Sequence, residues 1–324
     1  MIVETNLVKP RALILGVSGQ DGSLLAKLLL DKGYEVWGSS RKVQSQTFEN
    51  LSKLGIAEQV KVVPWSPSEL NSITQIINAI YPDEIYNLSG QSSVGMSFAN
   101  PAEAFSSVTL ATHHLLEASR NHDAPVKIYN ASSSECFGNT IQAATETTAV
   151  NPASPYAAAK ACAFLQTANY REVFKLFCVS GILFNHESPL RPHQFVLQKV
   201  VQAAKRIADG SREKLELGDL SVIRDWGWAP EYVEGIWRMM QQTEPRDYIL
   251  ATGQSYSLEY LVREVFEQLH MDWREHVVIN HAFKRPNEIS QSLANPERAA
   301  NELGWKAEVG IQELIKRMLN GTVN

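Results

Sequence analysis

The sequence predicts an α/β fold, a doubly wound parallel sheet followed by a smaller C-terminal α/β cap. From Arg11 to about Phe184, short β-branched runs alternate with longer amphipathic stretches, the pattern of strand–helix–strand units. A glycine-rich turn joins the first predicted strand to the first predicted helix. After Phe184 the alternation fades into proline-marked loops and helical runs. We expect a first domain over residues 1–184 and a cap over residues 185–324 at the carboxyl edge of the sheet, with some segments interleaved.

Hydrophobic periodicity places the individual elements. The predicted strands are Ala12–Leu15, Glu35–Gly38, Val60–Val63, Glu84–Leu88, Lys127–Asn130 and Phe177–Leu183. The predicted helices are Gly22–Lys32, Leu70–Ile80, Thr109–Arg120, Phe195–Ala208 and Leu258–Leu269.

The composition indicates a folded protein that does not bind long nucleic acids. Hydrophobic residues make up 44% and charged residues 20% of the 324 residues, as in globular chains, and the formal net charge of -5 argues against a basic surface. The sequence lacks the roughly 18-residue apolar run of a membrane span and the apolar centre of a signal peptide. Cys136, Cys162 and Cys178 have no metal-ligand spacing, so we expect reduced thiols, no metal and a cytoplasmic protein.

The glycine-rich turn runs Gly16-Val-Ser-Gly19-Gln-Asp-Gly22 between a strand and a helix, which favours a dinucleotide site. Glycine tolerates positive φ and lets the backbone approach a pyrophosphate, while the helix offers free N–H groups. The alternative is a tight strand-to-helix turn without a ligand.

The second predicted strand runs into Ser39-Ser40-Arg41-Lys42, where a dinucleotide's adenosine ribose would lie. An acidic residue there favours NAD, whereas arginine favours the 2′-phosphate of NADP. Two adjacent cations without a carboxylate therefore favour NADP. The alternative is a solvated pair of loop cations.

A second motif, Tyr156-Ala-Ala-Ala-Lys160, places two titratable groups one helical turn apart. A neighbouring ammonium favours a phenolate, so the spacing predicts a tyrosine pKa shifted toward neutrality. Alone, the pair is as consistent with an ordinary surface contact. Its position after a strand that ends in Ser132-Ser133-Ser134-Glu135 favours a catalytic site.

Together, the Gly-x-x-Gly-x-x-Gly turn, the serine-rich turn and Tyr-x-x-x-Lys resemble the extended short-chain dehydrogenase/reductase superfamily, whose NAD(P) domain is Rossmann-like. Longer segments resemble the GDP-mannose 4,6-dehydratase family, and the likeness covers nearly the whole chain from Arg11 onward. They are Gly16–Gly22, Tyr86–Ser92, Ser154–Lys160, Gly181–Pro189, Arg224–Gly227 and Arg285–Glu288. The Asn-His-Glu-Ser-Pro and Arg-Asp-Trp-Gly stretches within them are much more specific than the glycine turn.

The resemblance implies a catalytic set of Ser133, Glu135, Tyr156 and Lys160, with Ser133 and Glu135 matching a threonine and a glutamate of the family. Tyr156 would take the proton of the sugar's 4-hydroxyl, with Ser133 holding the same oxygen, while the C4 hydride passes to NADP. Glu135 would then remove the C5 proton and help water leave from C6 before the hydride returns. Without the resemblance, Glu135 reads as a helix-start carboxylate or a surface ion pair.

The resemblance also implies binding residues for NADP and for a GDP-hexose, and assembly as a homodimer or homotetramer. The cofactor-binding set is Gly16, Gly19, Gln20, Asp21, Gly22, Arg41, Leu88, Ser89, Gln91, Lys160, His186 and Arg191. The substrate-binding set is Asn185, Glu187, Lys199, Arg224, Arg285 and Glu288.

The chain departs from the family pattern at a few positions. Trp65-Ser66-Pro67 replaces a Gly-Asp-Leu-like turn near the adenine, Ser133 replaces threonine, and Pro192 replaces glycine. None of these changes removes a catalytic functional group. Alternative functions are a nucleotide-sugar epimerase or 4-ketoreductase, which needs no base at residue 135, and a non-catalytic NADP-binding protein, which usually lacks the Tyr/Lys pair.

Overall fold

A computed structural model describes residues 9–40, 48–283 and 285–323. In chain order its strands are β1 (Arg11–Leu15), β2 (Glu35–Ser40), β3 (Lys61–Pro64), β4 (Glu84–Asn87), β5 (Lys127–Ser133), β6 (Cys178–Leu183), β7 (Asn185–Glu187), β8 (Leu215–Leu217), β9 (Ile223–Trp228), β10 (Tyr248–Leu250), β11 (Ser255–Ser257) and β12 (Val277–Ile279). Its α-helices are α1 (Gln20–Asp31), α2 (Glu49–Lys53), α3 (Leu70–Ile80), α4 (Val94–Ala99), α5 (Pro101–Ala104), α6 (Ala111–Arg120), α7 (Pro155–Phe174), α8 (Val196–Ala208), α9 (Ala229–Met240), α10 (Leu258–Glu267), α11 (Glu297–Leu303) and α12 (Ile311–Asn320).

The central sheet has seven parallel strands in the order β10-β6-β5-β4-β1-β2-β3, which confirms the predicted fold class. Strand order reverses between β1 and β4, so a crevice opens at their carboxyl ends, where doubly wound sheets bind ligands. The glycine-rich turn follows β1 at this point. Strand β5 runs beyond the predicted Asn130, because Ala131 to Ser133 pair with Gly181 to Leu183 of β6.

Helices cover both faces of the sheet, as apolar strand faces require. One apolar cluster joins the sheet to α1 and α9, and another joins it to α3, α6 and α7. A π-helical segment, Phe105–Leu110, links α5 to α6, so this helical region begins well before the predicted Thr109. In the described part of the chain, we find no helix long and apolar enough to cross a membrane.

The cap is built on two small sheets, β11-β9-β7 and β12-β8, packed with α8, α10 and α12 around their own apolar cluster. The chain beyond residue 184 also returns to the first layer, because β10 pairs with β6 and α9 packs on α1. Strand β7 begins two residues after β6 ends. The cap therefore starts at the carboxyl edge of the central sheet.

Candidate active site

Two adjoining cavities, of about 860 and 340 Å³, lie at the carboxyl edge of the sheet. The larger follows the glycine-rich turn and the end of β2, and we call it the outer cavity. The smaller lies between the end of β5 and the cap, and we call it the inner cavity. Both are lined by Asp21, Leu88, Ser89, Gly90, Ser92, Arg191 and Phe195. Because the two cavities adjoin, they can hold one long ligand with a second ligand next to it.

The glycine-rich turn is shaped so that the chain approaches itself closely at the outer cavity. Gly16 has φ +89°, and a Cβ there would lie 2.9 Å from the Leu88 carbonyl oxygen. A Cβ on Gly22 would lie 2.3 Å from the Gly16 carbonyl oxygen. Helix α1 starts after Gly19 without a side-chain cap, and Gln20 to Gly22 line the cavity. Uncapped N–H groups at this end suit an anion.

The end of β2 supplies hydroxyl groups to the outer cavity. Ser39 and Ser40 line it, together with Trp65 and Pro67 from the turn after β3. The Ser39 hydroxyl is buried and has no hydrogen-bond partner among the residues that the structure describes. Arg41 and Lys42, on which the NADP prediction rests, lie outside the described residues.

Asp21 and His186 form a buried pair between α1 and the cap. His186 Nε2 lies 2.9 Å from Asp21 Oδ2, and His186 Nδ1 lies 2.7 Å from the Phe184 carbonyl oxygen. Both ring nitrogens therefore face acceptors, which favours the imidazolium. Burial lowers the pKa of His186, but the Asp21 carboxylate outweighs it and leaves the pKa raised. Burial raises the pKa of Asp21, but His186 and Arg191 bring it down to about 2.

Tyr156 and Lys160 lie at the start of α7 and line the inner cavity. The Ser154 hydroxyl accepts a hydrogen bond from the Ala157 amide and Pro155 opens the helix, so the sequence fixes where α7 begins. Lys160 Nζ donates to the Ala131 carbonyl oxygen at 2.7 Å and lies 5.9 Å from the Tyr156 ring centroid.

The predicted shift of the tyrosine pKa toward neutrality is wrong, because the pKa of Tyr156 is raised. Burial raises the pKa of Tyr156 well above its ordinary value, and contact with Ser133 only partly opposes this. Burial also lowers the pKa of Lys160 to about 8. The helical spacing correctly placed both groups on one face, but it contained no information on their burial or on the Ala131 carbonyl.

Ser133 and Glu135 form the turn after β5 and also line the inner cavity. The Ser133 hydroxyl accepts a hydrogen bond from the Glu135 amide at 3.3 Å and starts a 3-10 turn, Ser134–Phe137. Burial raises the pKa of Glu135, Arg224 and Arg285 oppose this, and Glu288 adds to it. The carboxylate therefore has an environment that strengthens it as a base.

Three charged residues of the cap, Arg224, Arg285 and Glu288, face the same cavity. Arg224 Nη2 and Arg285 Nη1 each lie 3.3 Å from Glu288 Oε1. Arg224 Nη2 also donates to the Ile289 carbonyl oxygen at 2.8 Å. Arg224 and Trp226 stand two positions apart on β9 and both line the cavity, as the period of a strand requires. That period was a signal for Trp226, which the sequence interpretation missed.

Of the remaining predicted site residues, some line the inner cavity and one lies behind a residue that lines it. Asn185, Glu187 and Gln91 line the inner cavity. Glu187 Oε2 and Gln91 Oε1 are buried without hydrogen-bond partners in the described ranges, so both have an acceptor to offer a ligand. Lys199 is not among the lining residues that the structure describes, contrary to the sequence interpretation. Its ammonium donates to the Glu216 carbonyl oxygen and lies 4.7 Å above the ring of Phe283, which does line the cavity.

Comparison with known proteins places this site in a family. Residues 13–318 match the family model described as GDP-mannose 4,6 dehydratase. GDP-mannose 4,6 dehydratase 1 of Arabidopsis thaliana is 39% identical over 98% of this chain and 91% of its own length. Among solved structures, UDP-glucose 4-epimerase of Thermus thermophilus with NAD has a TM-score of 0.84 at 24% identity, covering 96% of this chain and 98% of its own. RMD of Pseudomonas aeruginosa with NADPH has a TM-score of 0.78 at 20% identity, covering 97% and 99%.

We expect the Asp21–His186 pair to stabilise the fold within a limited pH window. The raised pKa of His186 makes its contribution complete below about pH 6.5, and the contribution is lost as the pH rises through the folded-state pKa. The lowered pKa of Asp21 makes its contribution complete above about pH 4, and this is lost toward pH 2. His186→Gln should reduce the free energy of unfolding by about 3 kcal/mol near pH 5.5 and by less at pH 9, measured by urea titration.

His122→Gln is the matched control, because His122 Nδ1 lies 3.0 Å from the neutral Asn78 amide oxygen, its ring packs on Tyr81, and it forms no ion pair with a described carboxylate. Its effect should be small at every pH. A cost of His186→Gln that stays constant between pH 5.5 and pH 9 would contradict the charged pair.

Proposed function

Because the chain belongs to the GDP-mannose 4,6-dehydratase family, we propose that it converts GDP-mannose to GDP-4-keto-6-deoxymannose with bound NADP, as a hydro-lyase. The observation that carries this proposal is the Glu135 carboxylate in the same cavity as Tyr156 and Lys160. An epimerase or 4-ketoreductase requires the Tyr/Lys pair but no base at residue 135. A non-catalytic NADP-binding protein requires neither.

The outer cavity fits a nicotinamide dinucleotide. Gly16 and Gly22 allow the close backbone turn that brings the uncapped end of α1 to the cavity, where its N–H groups suit a pyrophosphate, and the buried Ser39 hydroxyl has no hydrogen-bond partner among the described residues. When bound, the cofactor supplies reversible hydride transfer with the sugar. Leu88, Ser89, Gln91, His186 and Arg191 adjoin the path from the outer to the inner cavity. The described end of β2 carries no carboxylate, which supports NADP over NAD.

Tyr156 is assigned to the proton of the sugar's 4-hydroxyl, with Ser133 as a hydrogen-bond partner of the same oxygen. Burial raises the pKa of Tyr156, so the phenolate needs a cation beside it. Lys160 is the nearest such group on its own helix, and with a pKa of about 8 it is mostly protonated at neutral pH. Its bond to the Ala131 carbonyl oxygen holds that charge at the end of β5.

Glu135 is assigned to the elimination. Once C4 is a ketone, the C5 proton is acidic, and the carboxylate removes it while the C6–oxygen bond breaks. The same proton then leaves with the C6 hydroxyl as water, which restores the carboxylate. When a hydride then returns to C6, C5 takes up a proton and Tyr156 gives up the one that it accepted, so the net change is the loss of one water. Burial raises the pKa of Glu135, which makes the carboxylate a stronger base than an exposed one for taking up the C5 proton. Arg224 and Arg285 limit that rise and keep the ionised form available.

The cap residues are assigned to the nucleotide sugar. Arg224 and Arg285 offer planar donors to a diphosphate, and Glu288 offers an acceptor to ribose hydroxyls. Asn185 and Glu187 are assigned to the sugar, and Glu187 Oε2, which has no hydrogen-bond partner among the described residues, is available to accept from a sugar hydroxyl. Lys199 acts only indirectly, through the ring of Phe283.

Glu135→Gln should abolish dehydration while leaving NADP bound, because the amide keeps the shape of the side chain and loses the base. We expect kcat to fall by at least about 10³-fold, measured by mass detection of water loss from GDP-mannose, with the dissociation constant of NADP changed less than twofold. Tyr156→Phe should block the first oxidation as well.

Glu58→Gln, at an exposed surface carboxylate, should leave the rate unchanged. Full dehydration by Glu135→Gln would sink the assignment. A wild-type protein that oxidises C4 without losing water would favour the epimerase or ketoreductase instead.

NADP should bind at least tenfold more tightly than NAD by calorimetry, since the described end of β2 has hydroxyls and no carboxylate. Gly22→Ala should weaken both cofactors by tenfold or more, because the new methyl group meets backbone at 2.3 Å. Gly310→Ala is the matched control, since a Cβ there has no neighbouring atom within 4 Å. Equal affinities for the two cofactors would contradict the NADP assignment.

We further propose that the protein is a cytoplasmic homo-oligomer. We also propose that the boundary near residue 184 separates a cofactor-binding domain from a substrate-binding cap. The oligomer proposal is supported by apolar side chains on the outward side of the helix layer formed by the π-helical segment and α7. Phe105, Leu110 and Leu165 are 47%, 38% and 55% exposed there. An exposed apolar patch of this kind suits a second copy in a twofold dimer.

Leu165→Glu should shift the protein toward monomer in sedimentation equilibrium, because a charge in an apolar dimer interface is desolvated without a partner. Ile141→Glu, at a residue 84% exposed on a loop, is the control and should leave the mass unchanged. A wild-type monomer at micromolar concentration would refute the proposal.

A further inference from the structure

We call the turn after β5 that contains Ser133 and Glu135 the catalytic turn. A segment of the cap, Glu288 to Asn295, runs between this turn and β9, and we call it the strap. On one side, the Ile223 amide donates to the Ser290 carbonyl oxygen at 2.8 Å, and the Ser292 amide donates to the Ile223 carbonyl oxygen at 3.0 Å. On the other side, the strap pairs with the loop that follows the catalytic turn. The Ala144 amide donates to the Leu293 carbonyl oxygen at 2.9 Å.

Two side-chain oxygens, one of Asn139 and one of Thr140, hold the strap close to the catalytic turn. Asn139 Oδ1 accepts hydrogen bonds from the Ser290 hydroxyl and from the Gln291 amide, both at 2.9 Å. Next to it, the Thr140 amide donates to the Gln291 carbonyl oxygen at 3.1 Å. The Leu293 amide donates to the Thr140 hydroxyl at 2.6 Å.

The connection from Asn139 back to Glu135 is short and stiff. The Gly138 amide donates to the Glu135 carbonyl oxygen at 3.2 Å. Gly138 has φ +65°, and a Cβ there would lie 2.2 Å from the Asn151 carbonyl oxygen, so this turn has little freedom to move. The position of Asn139 relative to Glu135 is therefore fixed by the backbone.

At its other end, the strap joins the charged residues of the cap. Its first residues are Glu288 and Ile289, which hold Arg224 through a carboxylate contact and a backbone carbonyl. Arg285 reaches the same Glu288 carboxylate. The contact from Ser290 to Asn139 thus lies directly after the residues that face the inner cavity.

We propose that Asn139 is a positioning residue for substrate recognition, which sets the distance between Glu135 and the cluster of Arg224, Arg285 and Glu288. This rests on the proposed function, since the cluster is assigned there to a nucleoside diphosphate sugar. Asn139 is itself exposed and outside the lining of both cavities, so it acts through the strap. Loss of its oxygen loosens the diphosphate end of the site, while Tyr156 and Lys160 keep their places on α7 and Glu135 keeps its place in the turn after β5.

Asn139→Ala should raise the KM for GDP-mannose about tenfold, with kcat and the dissociation constant of NADP changed less than twofold. Asn139→Asp keeps an acceptor oxygen in the same place and should return KM to within about twofold of wild type. Ser290→Ala removes one of the two donors to Asn139 Oδ1 and should raise KM about threefold. This milder variant tests the same contact if Asn139→Ala fails to fold.

Asn121→Ala is the matched control, because Asn121 is an exposed asparagine whose side chain bonds the Glu117 carbonyl oxygen at the end of α6. It should leave KM and kcat unchanged. An unchanged KM in Asn139→Ala, an equal loss in kcat, or a failure of Asn139→Asp to restore KM would overturn the positioning role.

Calorimetric binding of GDP separates this proposal from the proposed function, because it requires the strap and no chemistry. Weaker GDP binding by Asn139→Ala in a protein that shows no dehydration would support the strap and refute the dehydratase. Normal dehydration by the wild type, together with unchanged GDP binding by Asn139→Ala, would support the dehydratase and refute the role of the strap.

Discussion

The site depends above all on the pairing of β5 with β6. These strands are in register from Ile128 opposite Cys178 to Ser133 opposite Leu183. The catalytic turn follows β5 directly, and the first cap strand follows β6 after one residue. Because parallel strands end at the same edge, this register brings Glu135 and Glu187 to one cavity. A slip of one residue would turn each strand's side chains to the opposite face and separate the two halves of the site.

Around that edge, the protein buries charged groups that would each be costly alone. Asp21 is matched by His186, Glu187 by Arg191, and Glu288 by Arg224 and Arg285. The pairs are unequal in quality. Asp21 and His186 are within hydrogen-bond distance, whereas Arg191 Nε and Glu187 Oε2 remain 3.5 Å apart and both lack a hydrogen-bond partner among the described residues. Incomplete pairing of this kind leaves polar atoms available to a ligand. The free energy that is lost when these atoms are buried away from water is then offset by the hydrogen bonds that a bound ligand makes to them.

The sequence predicted the parts of the fold that depend on neighbours along the chain. The six strands and the glycine-rich turn were found because apolar periodicity and glycine both act locally. Strand β10 and the strap were missed, because each is short and is stabilised by pairing with distant segments. The same dependence on distant segments explains why the pKa shifts at the site were not predicted. The spacing of Tyr156 and Lys160 placed them on one helix face, but their pKa shifts arise from burial against β5. The positive charge of Lys199 suggested a contact with phosphate, but its ammonium donates a hydrogen bond to the Glu216 carbonyl oxygen instead.

The departures from the family pattern fall at the two ends of the site with different consequences. At the catalytic end, Ser133 replaces threonine, and its hydroxyl is held by the Glu135 amide, so the missing methyl group does not free the turn. At the end proposed for the adenine, Trp65 is only 4% exposed and lines the outer cavity. Contact with the flat face of a base tolerates such an exchange, since it requires area and not a fixed donor or acceptor. Proton transfer requires atoms within hydrogen-bond distance, and therefore the residues assigned to it are constrained much more tightly than those around the adenine.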